Sequence, residues 1–168
     1  MGSAGNLRLR AATLSFCDTY FSVTAYPHRG VRMHSLDMAL DGTELDWQVV
    51  SAARVFRTME AEFSEAEHFT LRYDRDSLSP GQNDEADCAQ WRELLGSFGS
   101  VKTLRVEDYE LVLKLSHALR PHEGESSTEL LPELQELSYP ADGFSCKPFT
   151  HFIDARQKAG FPVTMIYR

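Results

Sequence analysis

The sequence predicts an α/β repeat solenoid, with parallel strands in chain order, helices on one face and an antiparallel β cap at the N-terminal end. Two observations carry that prediction. Segments beginning at Ser35, His68, Val101 and Leu134 start 33 residues apart each time, and a fixed interval of that size marks stacked supersecondary units. Within each segment the fourth and sixth positions are apolar or aromatic: Met38/Leu40, Leu71/Tyr73, Leu104/Val106 and Leu137/Tyr139. Mostly polar residues flank them, so each segment reads as a strand with one face in a core and one in water.

Residues 7–34 read as the cap. Leu9 and Ala11 alternate with Arg8 and Arg10, and Phe21, Val23 and Ala25 alternate with Ser22 and Thr24, the pattern of two or three antiparallel strands. Residues 35–168 then form the repeats of one single domain. After Asp41-Gly42, the residues Leu45, Val49, Ala53, Phe56, Met59 and Phe63 recur at steps of three and four. That stripe predicts one amphipathic helix, with Trp47 as a packing residue near its start. The segment from Asp74 to Asn83 reads as a loop.

A second helix is expected around 85–98, with Trp91, Leu94, Leu95 and Phe98 on one side and Gly99 after it. A third runs from an Asp108 N-cap to about Leu119, burying Leu111, Val112 and Leu115. Arg120 to Ser127 is the most polar stretch and is expected to be a mobile surface loop. A fourth helix spans about 149–159 and stops at Gly160, with Pro162 beyond. Val163 to Tyr167 supplies a closing strand. Right-handed connections between such units give the geometry of a leucine-rich-repeat solenoid with long units.

The formal net charge of −8 argues against nucleic acid or an anionic membrane as the main partner, because both need a cationic field. No apolar run approaches the length of a membrane span, and the start lacks the apolar core of a signal peptide. Cys17, Cys88 and Cys146 are odd in number and far apart, which suggests neither a disulfide framework nor a zinc ribbon. A cytoplasmic or nuclear location is the resulting expectation.

Several words of the sequence resemble a known group. Leu45-Asp46-Trp47-Gln48-Val49, Trp91-Arg92-Glu93-Leu94-Leu95 with Val101-Lys102-Thr103-Leu104, Leu130 to Leu137, and Phe152-Ile153-Asp154-Ala155-Arg156-Gln157 are similar to the C-terminal leucine-rich-repeat-like region of F-box-like proteins of mushroom-forming fungi. The resemblance implies a target-recognition region that selects another protein for a ubiquitin ligase. The chain carries no F-box ahead of its repeats, so direct binding to the ligase adaptor is not expected. Leu131-Pro132-Glu133-Leu134 mimics the opening of an F-box, but a strand follows it where an F-box continues into helices.

The sequence offers little chemistry. Phosphate-loop, zincin and nucleophile-elbow motifs are absent, and Gly96-Ser97-Phe98-Gly99-Ser100 follows a helix, the reverse of a phosphate cradle. His117 and His122 straddle a helix end; Asp84, Glu85 and Asp87 lack the spacing of a calcium loop; Cys146 and His151 lack an orienting third group. No catalytic residue, metal or cofactor is expected. The leading reading is a protein-binding module. Its candidate contacts are the outward strand residues Asp37, Thr70, Arg72, Thr103, Arg105, Glu136 and Ser138, in which Arg72 and Arg105 sit one repeat apart and form a small basic spot. The alternatives are a degenerate family fragment without a function of its own and a small α/β hydrolase.

Overall fold

The computed structural model describes residues 9–27, 36–42, 45–74, 85–141 and 147–168. It is an α/β structure with a seven-stranded mixed, mostly parallel sheet and five helices. In chain order the elements are β1 (Ala11–Cys17), β2 (Tyr20–Tyr26), β3 (Leu36–Asp41), α1 (Leu45–Thr58), α2 (Glu60–Phe63), β4 (His68–Asp74), α3 (Glu85–Gly96), β5 (Thr103–Val106), α4 (Tyr109–Ala118), β6 (Glu136–Tyr139), α5 (Thr150–Lys158) and β7 (Thr164–Tyr167). The sheet order is β3-β2-β1-β4-β5-β6-β7. From β1 through β4 to β7 all neighbours are parallel, while β1, β2 and β3 form an antiparallel meander.

The expected parallel series holds for three of its four evenly spaced segments. β3 leaves it: this strand pairs antiparallel with β2 and lies at the sheet edge. The place beside β4 goes to β1 instead, so residues 11–17 sit inside the sheet and do not lie over its end. Burial explains the exchange. Ala12, Leu14 and Phe16 of β1 are fully enclosed, whereas Leu36, Met38 and Leu40 of β3 are only half-buried. The more apolar strand takes the central position, and short connections favour antiparallel neighbours for the rest.

The fixed interval also differs from the register. β4 pairs with β5 so that Thr70 faces Arg105 and Leu71 faces Val106, an offset of two residues from the 33-residue spacing. β5 and β6 keep that spacing, with Thr103 facing Glu136. The core residues tolerate the slip because an even offset preserves which face each side chain occupies. Phe69, Leu104 and Leu137 consequently form one buried row.

Helices line the face that carries these rows. The ring of Trp91 from α3 meets Phe16 edge-on at 5.6 Å, and Phe56 from α1 meets Phe69 at 6.1 Å. Phe98 stacks on Phe69 at 3.9 Å, and Phe149 at the head of α5 packs on Tyr139 at 5.3 Å. The expected long first helix is interrupted at Met59, whose φ of −105° and ψ of 26° separate α1 from the single turn of α2. Trp47 is 65% exposed; it falls off the Val49–Ala53–Phe56 stripe, and Gln48 takes the buried place beside it. The Asp108 cap forms as expected, its carboxylate accepting from the N–H groups of Glu110 and Leu111.

Arg156 locks α5 to the segment before β6. This side chain is 1% exposed, and its guanidinium donates to the carbonyls of Leu131, Pro132 and Leu134 at 3.3, 3.2 and 2.9 Å. Burial pulls its pKa down, with Glu133 nearby opposing the shift. Leu131 itself adopts a positive φ of 52°, a conformation costly for a branched residue and held by the surrounding packing. Leu131 to Leu134 is thus a turn leading into a strand.

Candidate functional site

Among the described residues, the sheet face opposite the helices is an extended surface that backbone geometry prepares. Because strand side chains alternate, each core residue fixes an outward neighbour. Among the described residues this face is lined by half-buried and exposed side chains, with Ser138 the main exception. One row runs Asp37, Thr24, Thr13, Thr70, Arg105, Ser138 and Ile166 across all seven strands. A parallel row places Thr103 beside Glu136.

The seven expected contact residues all lie on this face but do not form one patch. Thr70, Arg105 and Ser138 are direct neighbours, as are Thr103 and Glu136. Asp37 is separated from Thr70 by the strands β2 and β1, roughly three strand spacings of about 4.8 Å. Ser138 is 1% exposed, and its hydroxyl has no hydrogen-bond partner among the described residues. It is therefore not the solvated contact that alternation suggests.

Arg72 and Arg105 do not make an unopposed basic spot. The two-residue offset brings Glu107 beside Arg72, and the carboxylate takes both cations. Arg72 Nε lies 2.8 Å from one carboxylate oxygen and Arg105 Nη2 lies 2.7 Å from the other. The Glu107 carboxylate raises the pKa of Arg72, and the triad retains one net positive charge. Sequence periodicity does not point to Glu107. Its signal is faint, an acidic residue just past the end of a short strand. Thr13 and Thr24 were missed as well, because they belong to strands assigned to the cap.

A second ionic chain lies along the lip before the strands. Glu67 Oε1 accepts from Arg10 and from Lys102 Nζ, each at 3.0 Å. The Lys102 hydrogen bond and charge lower the pKa of Glu67, with Arg10 adding to the effect. These residues continue the ladder beyond the regular strands, since Lys102 N–H donates to the Glu67 carbonyl at 2.8 Å.

The residues considered for chemistry are not brought together. His117, His122 and His151 are exposed, and among the described residues no group of three His, Cys, Asp or Glu side chains converges as a metal site would require. Cys146, Asp84 and the side chains of Glu85 and Asp87 lie outside the described residues. A cleft beside Arg92, Leu119, Glu125, Leu130 and Phe152 is only about the size of a water molecule. The polar loop above it is tied down: Glu125 pairs with Arg92 and accepts from the His122 N–H at 2.8 Å. Among the described residues no helix is long and apolar enough to cross a membrane.

Comparison with protein-family models, with curated proteins and with solved structures gives no match to this chain.

Proposed function

We propose that the chain is a non-enzymatic protein-interaction module, acting in the cytoplasm or nucleus, whose open sheet face receives another protein. The observation that carries this reading is the face itself: seven strands wide, polar, and without a covering helix among the described residues. Such a surface suits recognition of an extended partner better than catalysis, which needs a concave, water-excluding pocket. The strand–helix series from β4 to β7 supports a leucine-rich-repeat-like arrangement, and the resemblance to fungal F-box-like proteins points to target selection as the purpose of binding. Thr70, Thr103, Arg105 and Glu136 form the centre of the contact, with Arg72 at its margin and Asp37 reached only by a wide partner. The Arg72–Glu107–Arg105 triad gives this centre a small positive bias on an acidic protein, favouring an acidic partner surface.

The test is capture of partners from a fungal extract, identified by mass spectrometry, with three forms of the chain. The unaltered chain is expected to retain a partner that the Arg72→Glu and Arg105→Glu double variant loses. Thr70→Glu, which sets a like charge against an acidic partner beside Arg105, is expected to weaken the same partner. Retention of every captured protein by both folded variants would remove this face as the contact.

A further inference from the structure

The two edges of the sheet are built differently. β3 directs Asp37 and Asp41 outward, both exposed, and charges on an edge strand deter a further strand from adding. β7 carries no charge between Thr164 and Tyr167. Phe161 ahead of it and Tyr167 at its end are 52% and 51% exposed, and Met165 and Ile166 are half-buried. The backbone is also prepared. Thr164 N–H donates to the Gln135 carbonyl at 2.8 Å and Arg168 N–H to the Tyr139 carbonyl at 3.1 Å. Alternation along a parallel strand then turns the N–H and C=O groups of Met165 and Tyr167 to the side away from β6. Among the described residues no strand pairs with that side.

We infer that β7 is a self-association edge, where a second copy of this chain adds its own β7 antiparallel across a two-fold axis at Ile166. In this register Met165 lies opposite Tyr167 of the partner copy, and each such pair exchanges N–H···O bonds from groups already turned outward. Ile166 meets its own counterpart on the outer face, and Thr164 meets Arg168, so no like charges oppose one another. A two-fold contact must be self-complementary, and an uncharged apolar strand meets that condition. On a chain with a net charge of −8, an uncharged edge is where a second copy approaches with least repulsion. The acidic β3 strands would stand at the two far ends of the joined sheet, which closes the assembly at two copies. This inference is independent of the open-face reading, because it uses the edge of the sheet and not its surface.

Molar mass by light scattering or sedimentation equilibrium over a concentration series provides the test. The chain is expected to rise from 19.0 kDa towards twice that mass. Ile166→Lys sets two ammonium groups opposite each other on a half-exposed position and is expected to return the folded chain to the monomer mass. Met165→Pro removes an outward donor without touching the β6 ladder and is expected to do the same. Should it fail to fold, Ile166→Lys decides alone. Asp37→Lys, on the other edge, is expected to leave the dimer intact. A monomer mass at every concentration, an open-ended series of masses, or a folded Ile166→Lys variant that still dimerises would overturn the inference. So would a monomeric chain whose β7 instead captures a strand of another protein.

Discussion

Arg72 and Arg105 share one carboxylate: Glu107 sits between them, accepting a hydrogen bond from Arg72 and pairing ionically with Arg105. Residues placed a repeat apart by the sequence are thereby neighbours on a diagonal, joined through an anion of opposite sign. Since all three side chains remain partly exposed, their attraction is modest and screened by salt. Glu107→Gln is expected to cost about 1 kcal/mol or less in low-salt urea melts and to cost less still at 1 M salt. Reversing both arginines to Glu would crowd three carboxylates and is expected to cost more than Glu107→Gln alone. A loss that is unchanged by salt would mean the triad acts through packing.

Leu104 lies at the centre of the Phe69–Leu104–Leu137 row and is fully buried. Leu104→Ala leaves a cavity between sheet and helices and is expected to destabilise by about 2–5 kcal/mol. Denaturant midpoints of the two proteins measure it. A loss below about 0.5 kcal/mol would place the residue at a site able to collapse around the smaller side chain.

Arg156 has three backbone carbonyls as partners and lies near the rings of Phe152 and Phe161, at 5.9 and 5.8 Å from their centroids. Arg156→Ala strands those carbonyls, at about 1–3 kcal/mol for each one left buried and unpaired. Arg156→Lys is expected to recover only a part, because an ammonium group lacks the planar fork that reaches several acceptors at once. Full recovery by lysine in thermal melts would show that charge alone is required at this position.

How far these features were legible in the sequence depends on the range of the interaction that sets them. Periodicity placed α3, α4 and α5 and the inward residues of β2 to β6, because side-chain alternation is local; in β1 it favoured Ala11, where the register turns Ala12 to the core. The Asp108 cap was legible for the same reason: donor and acceptor lie within three residues. Strand order was not. Met38 and Leu40 carry the same alternation as Leu71 and Tyr73, and only competition with Leu14 and Phe16 for the place beside β4 decides between them. The open face was legible as a set of residues, but Glu107 emerges only once the register of β4 on β5 is known. Trp47 misled because a large aromatic beside an apolar stripe reads as core, while the helix turns it outward.

Glu67 gives an acid-side prediction. Its folded pKa is lowered by Lys102 and then by Arg10, so the folded state favours the ionised form. That contribution is complete above the ordinary carboxylate range and fades as pH falls through the lower folded value. The melting temperature of the unaltered chain should therefore exceed that of Glu67→Gln near neutrality, and the difference should shrink on acidification. Lys102→Met is expected to reduce the difference most, being the larger cause. A gap that widens towards low pH would reverse the assigned sign.

Tyr139 gives the alkaline counterpart. Its ring is buried against Phe149 and Tyr167, with centroids 5.3 and 5.4 Å away. Burial raises its pKa well above that of a free phenol, and the hydrogen bond with Tyr167 raises it further. The unfolded chain would lose this proton first. Stability conferred by keeping the phenol neutral is complete below its unfolded value, about 10, and is lost as pH rises towards the higher folded one. Tyr139→Phe preserves the ring packing and removes the titrating group, so its melting temperature should decline less steeply above pH about 10. Tyr167→Phe deletes only the hydrogen-bonding partner and should flatten the decline by a smaller amount, because burial is the larger cause. Identical alkaline profiles for the unaltered chain and Tyr139→Phe would mean that the phenol ionises as readily in the fold as out of it.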